Sequence, residues 1–123
     1  MARSILCVED DPLSLNVRKM VFESAGYNVL SASGTEQALR RVETDRVDLV
    51  ITDYRLGEST GTELAAKIKE ISPHLPVWII SGLPSLPDGL GAADDFIHKM
   101  IAPQELIARV DDLLREDAKS ATG

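Results

Sequence analysis

Residues 5–12 read Ile-Leu-Cys-Val-Glu-Asp-Asp-Pro, ILCVEDDP. A short apolar run of this kind is a strand that belongs inside a core, and it runs straight into three carboxylates and a proline. Like charges side by side at the mouth of a core are either solvated or gathered round something positive. The next residues make the first strand the start of an alternation. Asp11 can cap a helix with Pro12 at its first position, and Leu13, Val17, Met20 and Val21 recur at helical spacing as one apolar stripe up to Gly26.

Beyond that helix, residues 27–31 (YNVLS) read as a second strand. Ser33-Gly34-Thr35-Glu36 has the spacing of a capping box before a stripe of Ala38, Leu39 and Val42. Residues 47–52 (VDLVIT) are a third strand, followed by a second possible capping box, Thr60-Gly61-Thr62-Glu63, ahead of Leu64, Ile68 and Ile71. Pro76–Ile80 (PVWII) is a fourth strand, apolar enough to lie centrally in a parallel sheet covered on both faces. Residues 95–98 (DFIH) are a short fifth strand, and Pro103 opens a last helix with Leu106, Val110, Leu113 and Leu114 in register. Five strands alternating with helices predict an α/β fold with a doubly wound parallel sheet, whose ligand site lies beyond the carboxyl ends of the strands.

The bulk properties agree with a single domain over residues 1–123, with a tail at 117–123 that should fray. The length of 123 residues and 44% hydrophobic content suffice for one core. The one cysteine, Cys7, excludes an intramolecular disulfide and a cysteine-based zinc site, and lies in an apolar run that suits a buried thiol. No apolar stretch approaches the length needed to span a bilayer, and the early acidic residues do not suit a signal peptide. A cytoplasmic protein with no membrane association is therefore expected. Thirteen basic against 20 acidic residues give a formal charge of −7, which opposes direct binding to a nucleic-acid backbone.

At the carboxyl ends of the candidate strands stand Glu9-Asp10-Asp11, Asp53, Ser81 and, just past the fifth, Lys99. Carboxylate oxygens are hard ligands suited to Mg²⁺, an ion held by one or two carboxylates together with phosphate oxygens. A divalent cation resolves the like-charge conflict and prepares the cluster to receive a phosphoryl group. Asp11 is read as the helix cap, leaving the metal to Asp10. His74 and His98 are read as surface residues and Trp78 as packing.

With these residues in order on the expected elements, the chain resembles a response-regulator receiver domain of two-component signalling, from Ser4 to about Glu116. The family's acid pair matches Glu9 and Asp10, its phosphoacceptor matches Asp53, and its glycine eight residues on matches Gly61. Its hydroxyl residue, aromatic residue and lysine match Ser81, Phe96 and Lys99. The resemblance implies a flavodoxin-like strand order 2-1-3-4-5 and an aspartate, Asp53, that takes a phosphoryl group from a phosphohistidine. It implies Mg²⁺ bound by Asp10, Asp53 and the backbone carbonyl of Arg55, with Glu9 acting through water. Ser81 and Lys99 would hold phosphoryl oxygens, and Phe96 would move inward with Ser81 as a switch. Such a chain is a phosphoacceptor rather than an enzyme, catalysing only its own phosphorylation and dephosphorylation. Its partners would be a sensor histidine kinase or histidine phosphotransfer protein and an output partner.

Two rival readings share this fold. An FMN carrier needs a donor-rich loop after the first strand, where this chain places repelling carboxylates. A pseudo-receiver signals without phosphate, yet the acids, nucleophile, hydroxyl and lysine are all retained. The sequence also departs from the family. Met100 follows the lysine where a cis proline is usual, and because a cis bond before a non-proline residue costs about 3–4 kcal/mol, the Lys99–Met100 peptide is expected to be trans. Gly57 stands where many relatives carry proline, and should loosen the loop after Asp53. Residues 82–94 carry Pro84, Pro87, Gly82, Gly89 and Gly91 where the family has a fourth helix. That helix is expected to be shortened or disordered, with at most a turn or two, and the segment to be the most mobile part apart from the tail.

Overall fold

A computed structural model of the protein describes residues 2–122, with side chains as far as Arg115; the expected fraying of 117–123 lies outside the residues described in full. The elements run β1 (Ser4–Val8), α1 (Pro12–Ser24), β2 (Asn28–Ala32), α2 (Thr35–Thr44), β3 (Leu49–Asp53), β4 (Arg55–Leu56), β5 (Ser59–Thr60), α3 (Gly61–Ile71), β6 (Val77–Ser81), β7 (Asp95–His98) and α4 (Pro103–Thr122). All the pairings in the five-stranded sheet are parallel, in the order β2-β1-β3-β6-β7. With β6 and β7 as the fourth and fifth sheet strands, this is the expected 2-1-3-4-5 arrangement. The chain order reverses at β1 and β3, so the crevice opens beyond Val8 and Asp53. The additional strands β4 and β5 form a two-residue-per-side hairpin directly after Asp53.

Alternation along each strand divides the interior into two cores. Leu6, Val8, Val50, Val77 and Ile79 face α2 and α3, where Ala38, Val42, Leu64 and Ile68 complete one cluster. Ile5, Cys7, Leu49, Ile51, Trp78 and Ile80 face α1 and α4, where Phe22, Leu106, Val110 and Leu114 complete the other. Central strands β3 and β6 are buried at every residue, whereas edge strands β2 and β7 are only partly so. Cys7 is fully buried, and burial pushes its thiol up to about 12.

Helix starts follow local chemistry. Asp11 accepts the Ser14 N–H at 3.2 Å with Pro12 at the first position, and Thr60 accepts the Glu63 N–H at 3.2 Å. At α2 the expected Ser33–Glu36 box is not made. Gly34 is the cap and has no side chain to offer, and instead Gln37 accepts from the backbone N–H and hydroxyl of Ser33 at 2.7 and 3.0 Å.

Helix α1 packs by a different face from the stripe expected for it. Leu13, Val17 and Met20 are 77%, 61% and 61% exposed, while Arg18 and Phe22 are buried and Leu15 packs partly against the α1/α4 core. Two interleaved stripes exist on this helix, and the arginine in the second one hides it from a count of apolar residues. Its guanidinium faces Glu9, with Nη2 3.7 Å from Oε2.

No helix forms between β6 and β7. Residues 82–94 run through turns with Gly89 and Gly91 at φ of +71° and +56°, a region open to glycine at no steric cost. The segment is nevertheless anchored. Leu86 and Ala93 are buried in the α2/α3 core, and Asp88 accepts hydrogen bonds from the Tyr54 hydroxyl at 3.2 Å and the Thr62 hydroxyl at 2.7 Å. At its end, Asp94 accepts from Lys69 Nζ at 2.7 Å and from the Val77 N–H at 2.8 Å.

Candidate functional site

The crevice at the strand-order reversal collects the acids that the sequence places at strand ends. Glu9 and Asp10 follow β1, and Asp53 is the last residue of β3, whose Thr52 pairs with Val8 across the two strands. One carboxylate oxygen from each of Glu9, Asp10 and Asp53 lies within 4.8 Å of the others. Asp11, as expected, turns away to cap α1.

The three acids differ in surroundings. Glu9 is 2% exposed, and its desolvation raises its pKa above the usual glutamate value. The Asp11 N–H donating to Oε1 at 3.1 Å and the charge of Arg18 oppose that rise, and the charge of Asp53 adds to it. Oε2 of Glu9 is buried without a hydrogen-bond partner among the described residues, while Arg18 Nη2 lies 3.7 Å from it. Asp53 is 7% exposed and pairs through Oδ1 with Lys99 Nζ at 2.9 Å. Asp10 is exposed at the rim and accepts the Gly57 N–H at 3.2 Å.

That last bond explains Gly57. Its φ is +64° at the turn between β4 and β5. Proline has φ near −65° and no N–H, so it fits neither the turn nor the contact to Asp10. The Gly57 N–H ties the segment after Asp53 to the acid after β1. Gly61 serves a second close approach. Its N–H donates to the Tyr54 carbonyl at 2.6 Å, and a Cβ at this position would stand 2.6 Å from the Asp53 carbonyl oxygen.

Lys99 reaches Asp53 without a cis peptide, none being present among the described residues. The ladder carries it there: Ser81 pairs with His98, the Lys99 N–H donates to the Ser81 carbonyl at 2.8 Å, and the Ile101 N–H closes a turn onto His98 at 3.0 Å. Met100 points to solvent. Ser81 ends β6 beside Asp53's partner Ile80, is buried, and accepts the Leu83 N–H at 3.1 Å. Phe96, on β7, pairs with Ile79 of β6 and is half-buried against the α2/α3 core, against which Leu83 also packs. The pleat puts Ser81 and Phe96 on the same sheet face, the one that carries residues 82–94. Arg55 sits on β4, one residue beyond Tyr54, with its side chain in solvent.

Buried carboxylates at the reversal point, a lysine on one of them and a buried hydroxyl at the neighbouring strand end form a strand-by-strand pattern that extends over nearly the whole chain. Residues 5–111 match the response regulator receiver domain family. The chain belongs to that family. Among curated relatives, this receiver is 34% identical to the transcriptional regulatory protein GlrR of Escherichia coli over 93% of its own length and 27% of that protein. It is 36% identical to the transcriptional regulatory protein YvrH of Bacillus subtilis over 87% of its length and 47% of that protein. It thus spans about a quarter to a half of these relatives. In structure it resembles a CheY-like receiver domain protein from Methanospirillum hungatei, with a TM-score of 0.89, 28% identity and coverage of 98% and 99% of the two chains. It also resembles the response regulator TrrA of Thermotoga maritima in complex with Mg²⁺ and BeF, with a TM-score of 0.83, 26% identity and coverage of 90% and 98%.

The receiver's acidic cluster fits a hard divalent cation. Three carboxylates converge, and Oε2 of Glu9 keeps a buried acceptor free for a water on such an ion. Beside it a groove of about 370 Å³ runs between α1 and α4, lined among others by Leu13, Val17, Arg18, Lys99 and Leu106. Sequence reasoning missed this groove and Arg18. No described helix is long and apolar enough to cross a membrane.

Proposed function

We propose that the protein is a phosphorylation-controlled signalling switch that accepts a phosphoryl group on Asp53 from the phosphohistidine of a sensor histidine kinase or histidine phosphotransfer protein. The observation that carries this reading is Asp53 itself, gathered with Glu9 and Asp10 within 4.8 Å and held by Lys99 at 2.9 Å. One oxygen of Asp53 attacks phosphorus; the new P–O bond forms as the P–N bond to the donor imidazole breaks and its electron pair returns to nitrogen. Such a transfer depends on positioning and charge neutralisation.

Asp10, Asp53 and the Arg55 carbonyl would hold Mg²⁺ directly, with Glu9 reaching it through water. When bound, the ion neutralises charge between the carboxylates and the incoming phosphoryl oxygens. Lys99 exchanges part of its contact with Asp53 for one phosphoryl oxygen, and the Ser81 hydroxyl donates to another. Drawing Ser81 toward the phosphoryl group pulls on the Leu83 N–H, and Phe96 follows on the same face. The readout is a rearranged surface at residues 82–94 and β7, offered to an output partner. The chain acts as a phosphoacceptor, with no chemistry on a separate substrate, and works in the cytoplasm.

Leu13 and Val17 of the exposed stripe line the groove that Lys99 also lines, Met20 continues the stripe along α1, and its helical spacing suits an apolar face on the phosphodonor protein. Intact mass after incubation with a small phosphodonor tests the assignment. Wild type gains one phosphoryl group only with Mg²⁺, and Asp53→Asn gains none; a gain in that variant would move the site elsewhere.

A further inference from the structure

Arg18 enters the acidic site from the buried face of α1. It is 9% exposed, and Nη2 lies 3.7 Å from Glu9 Oε2, outside good hydrogen-bond range. Nη1 of Arg18 and Oε2 of Glu9 are both buried with no hydrogen-bond partner among the described residues. A guanidinium this little exposed, open to solvent only along the groove between α1 and α4, is expensive to desolvate, and attraction to a carboxylate offsets that cost only where the hydrogen bonds are well made. Packing alone does not call for it, since an apolar side chain between Leu15 and Phe22 fills such a face at less cost. What Arg18 adds is one positive charge fixed against the carboxylate that has the least access to water. It leaves the free oxygen of that carboxylate unbonded. The other cation of the site, Lys99, arrives from β7 and meets Asp53.

We propose that Arg18 is a positioning residue for the metal site: a fixed counter-charge that keeps Glu9 and the cluster assembled before a divalent cation arrives and weakens the cluster's hold on that cation. Three ionised carboxylates would bring three negative charges to the cluster, of which Arg18 and Lys99 offset two. A divalent cation therefore enters a cluster already largely balanced, and its occupancy rises and falls with the phosphoryl group that adds negative charge beside it. Removing the guanidinium leaves a more negative site that binds the ion more tightly and depends on it more for stability. This inference rests on the proposed function in taking the ion to be the Mg²⁺ of phosphoryl transfer, but metal binding is measured with no phosphodonor present. Failure of phosphorylation with the expected metal behaviour would count against the function alone.

The test is Mg²⁺ titration by calorimetry at pH 8, with thermal unfolding in chelator and in Mg²⁺, on wild type, Arg18→Met and Arg18→Lys. Arg18→Met is expected to bind Mg²⁺ roughly three- to tenfold more tightly, because a unit charge a few ångströms away has been removed. Arg18→Lys should stay within about twofold of wild type, since the charge is kept. The melting point should fall in chelator for Arg18→Met and rise more on Mg²⁺ addition than in wild type. If Arg18→Met does not fold in chelator, Mg²⁺ alone should restore it. Unchanged or weaker Mg²⁺ binding in Arg18→Met, an equal Mg²⁺-induced rise in both proteins, or a variant that Mg²⁺ cannot restore would overturn the proposal.

Discussion

Gly61 lets α3 begin against the Asp53 carbonyl, where a Cβ would come within 2.6 Å of a backbone atom that has no rotamer to escape into. Gly61→Ala is therefore expected to destabilise the fold by about 1–3 kcal/mol, as overpacking does, and to slow phosphoryl uptake by shifting Asp53. Urea unfolding checks the first effect; unchanged stability would mean the helix start yields freely. Cys7 makes the complementary case. With its thiol pushed up to about 12 by burial, it carries almost no thiolate at pH 8. A thiol reagent should leave the native protein unlabelled and react fully in denaturant, and rapid native labelling would show that β1 opens.

Among the elements, α1 and the 82–94 segment are where sequence reading and structure part. The capping and start of α1 were legible because Asp11 and Pro12 act locally. Its buried face was not, because a stripe of Leu15, Arg18 and Phe22 reads as polar until Glu9 is known to lie beneath it. The exposed face that results has a consequence for the donor. Val17→Glu should reduce phosphoryl transfer from a kinase by roughly tenfold or more, as losing an interface anchor does, and leave uptake from a small phosphodonor unchanged. Equal loss with both donors would place Val17 in the chemistry instead. The missing fourth helix was legible from its prolines and glycines, but its anchoring was not, since Asp88 finds Tyr54 and Thr62 across 34 and 26 residues of chain. The hydrogen bond from Thr62 holds the Asp88 carboxyl below the usual aspartate range. A carboxylate depressed in the folded state contributes above its unfolded value and loses that contribution as pH falls through the folded one. Asp88→Ala should speed amide exchange across 83–93 and leave β1, β3 and β6 unchanged; the same exchange in both proteins would mean Leu86 alone holds the segment.

For the molecule as a whole, the parallel sheet and the placing of Glu9, Asp10, Asp53, Ser81 and Lys99 at strand ends were readable because strand periodicity and strand-end chemistry are local signals, whereas the strand order came only from the resemblance to receiver domains. How Lys99 arrives without proline after it was not, because that depends on a ladder bond from its own N–H to the Ser81 carbonyl. The sheet thus delivers each group by register, and the proposed switch requires that Asp53, among the carboxylates so delivered, be the acceptor. Borohydride reduction after incubation with Mg²⁺ and a phosphodonor, followed by peptide mapping, converts an aspartyl phosphate to homoserine and so marks its position. Homoserine is expected at residue 53 alone, and only when Mg²⁺ was present; homoserine at position 10, or an unmodified Asp53 in protein that has gained phosphoryl mass, would contradict the assignment.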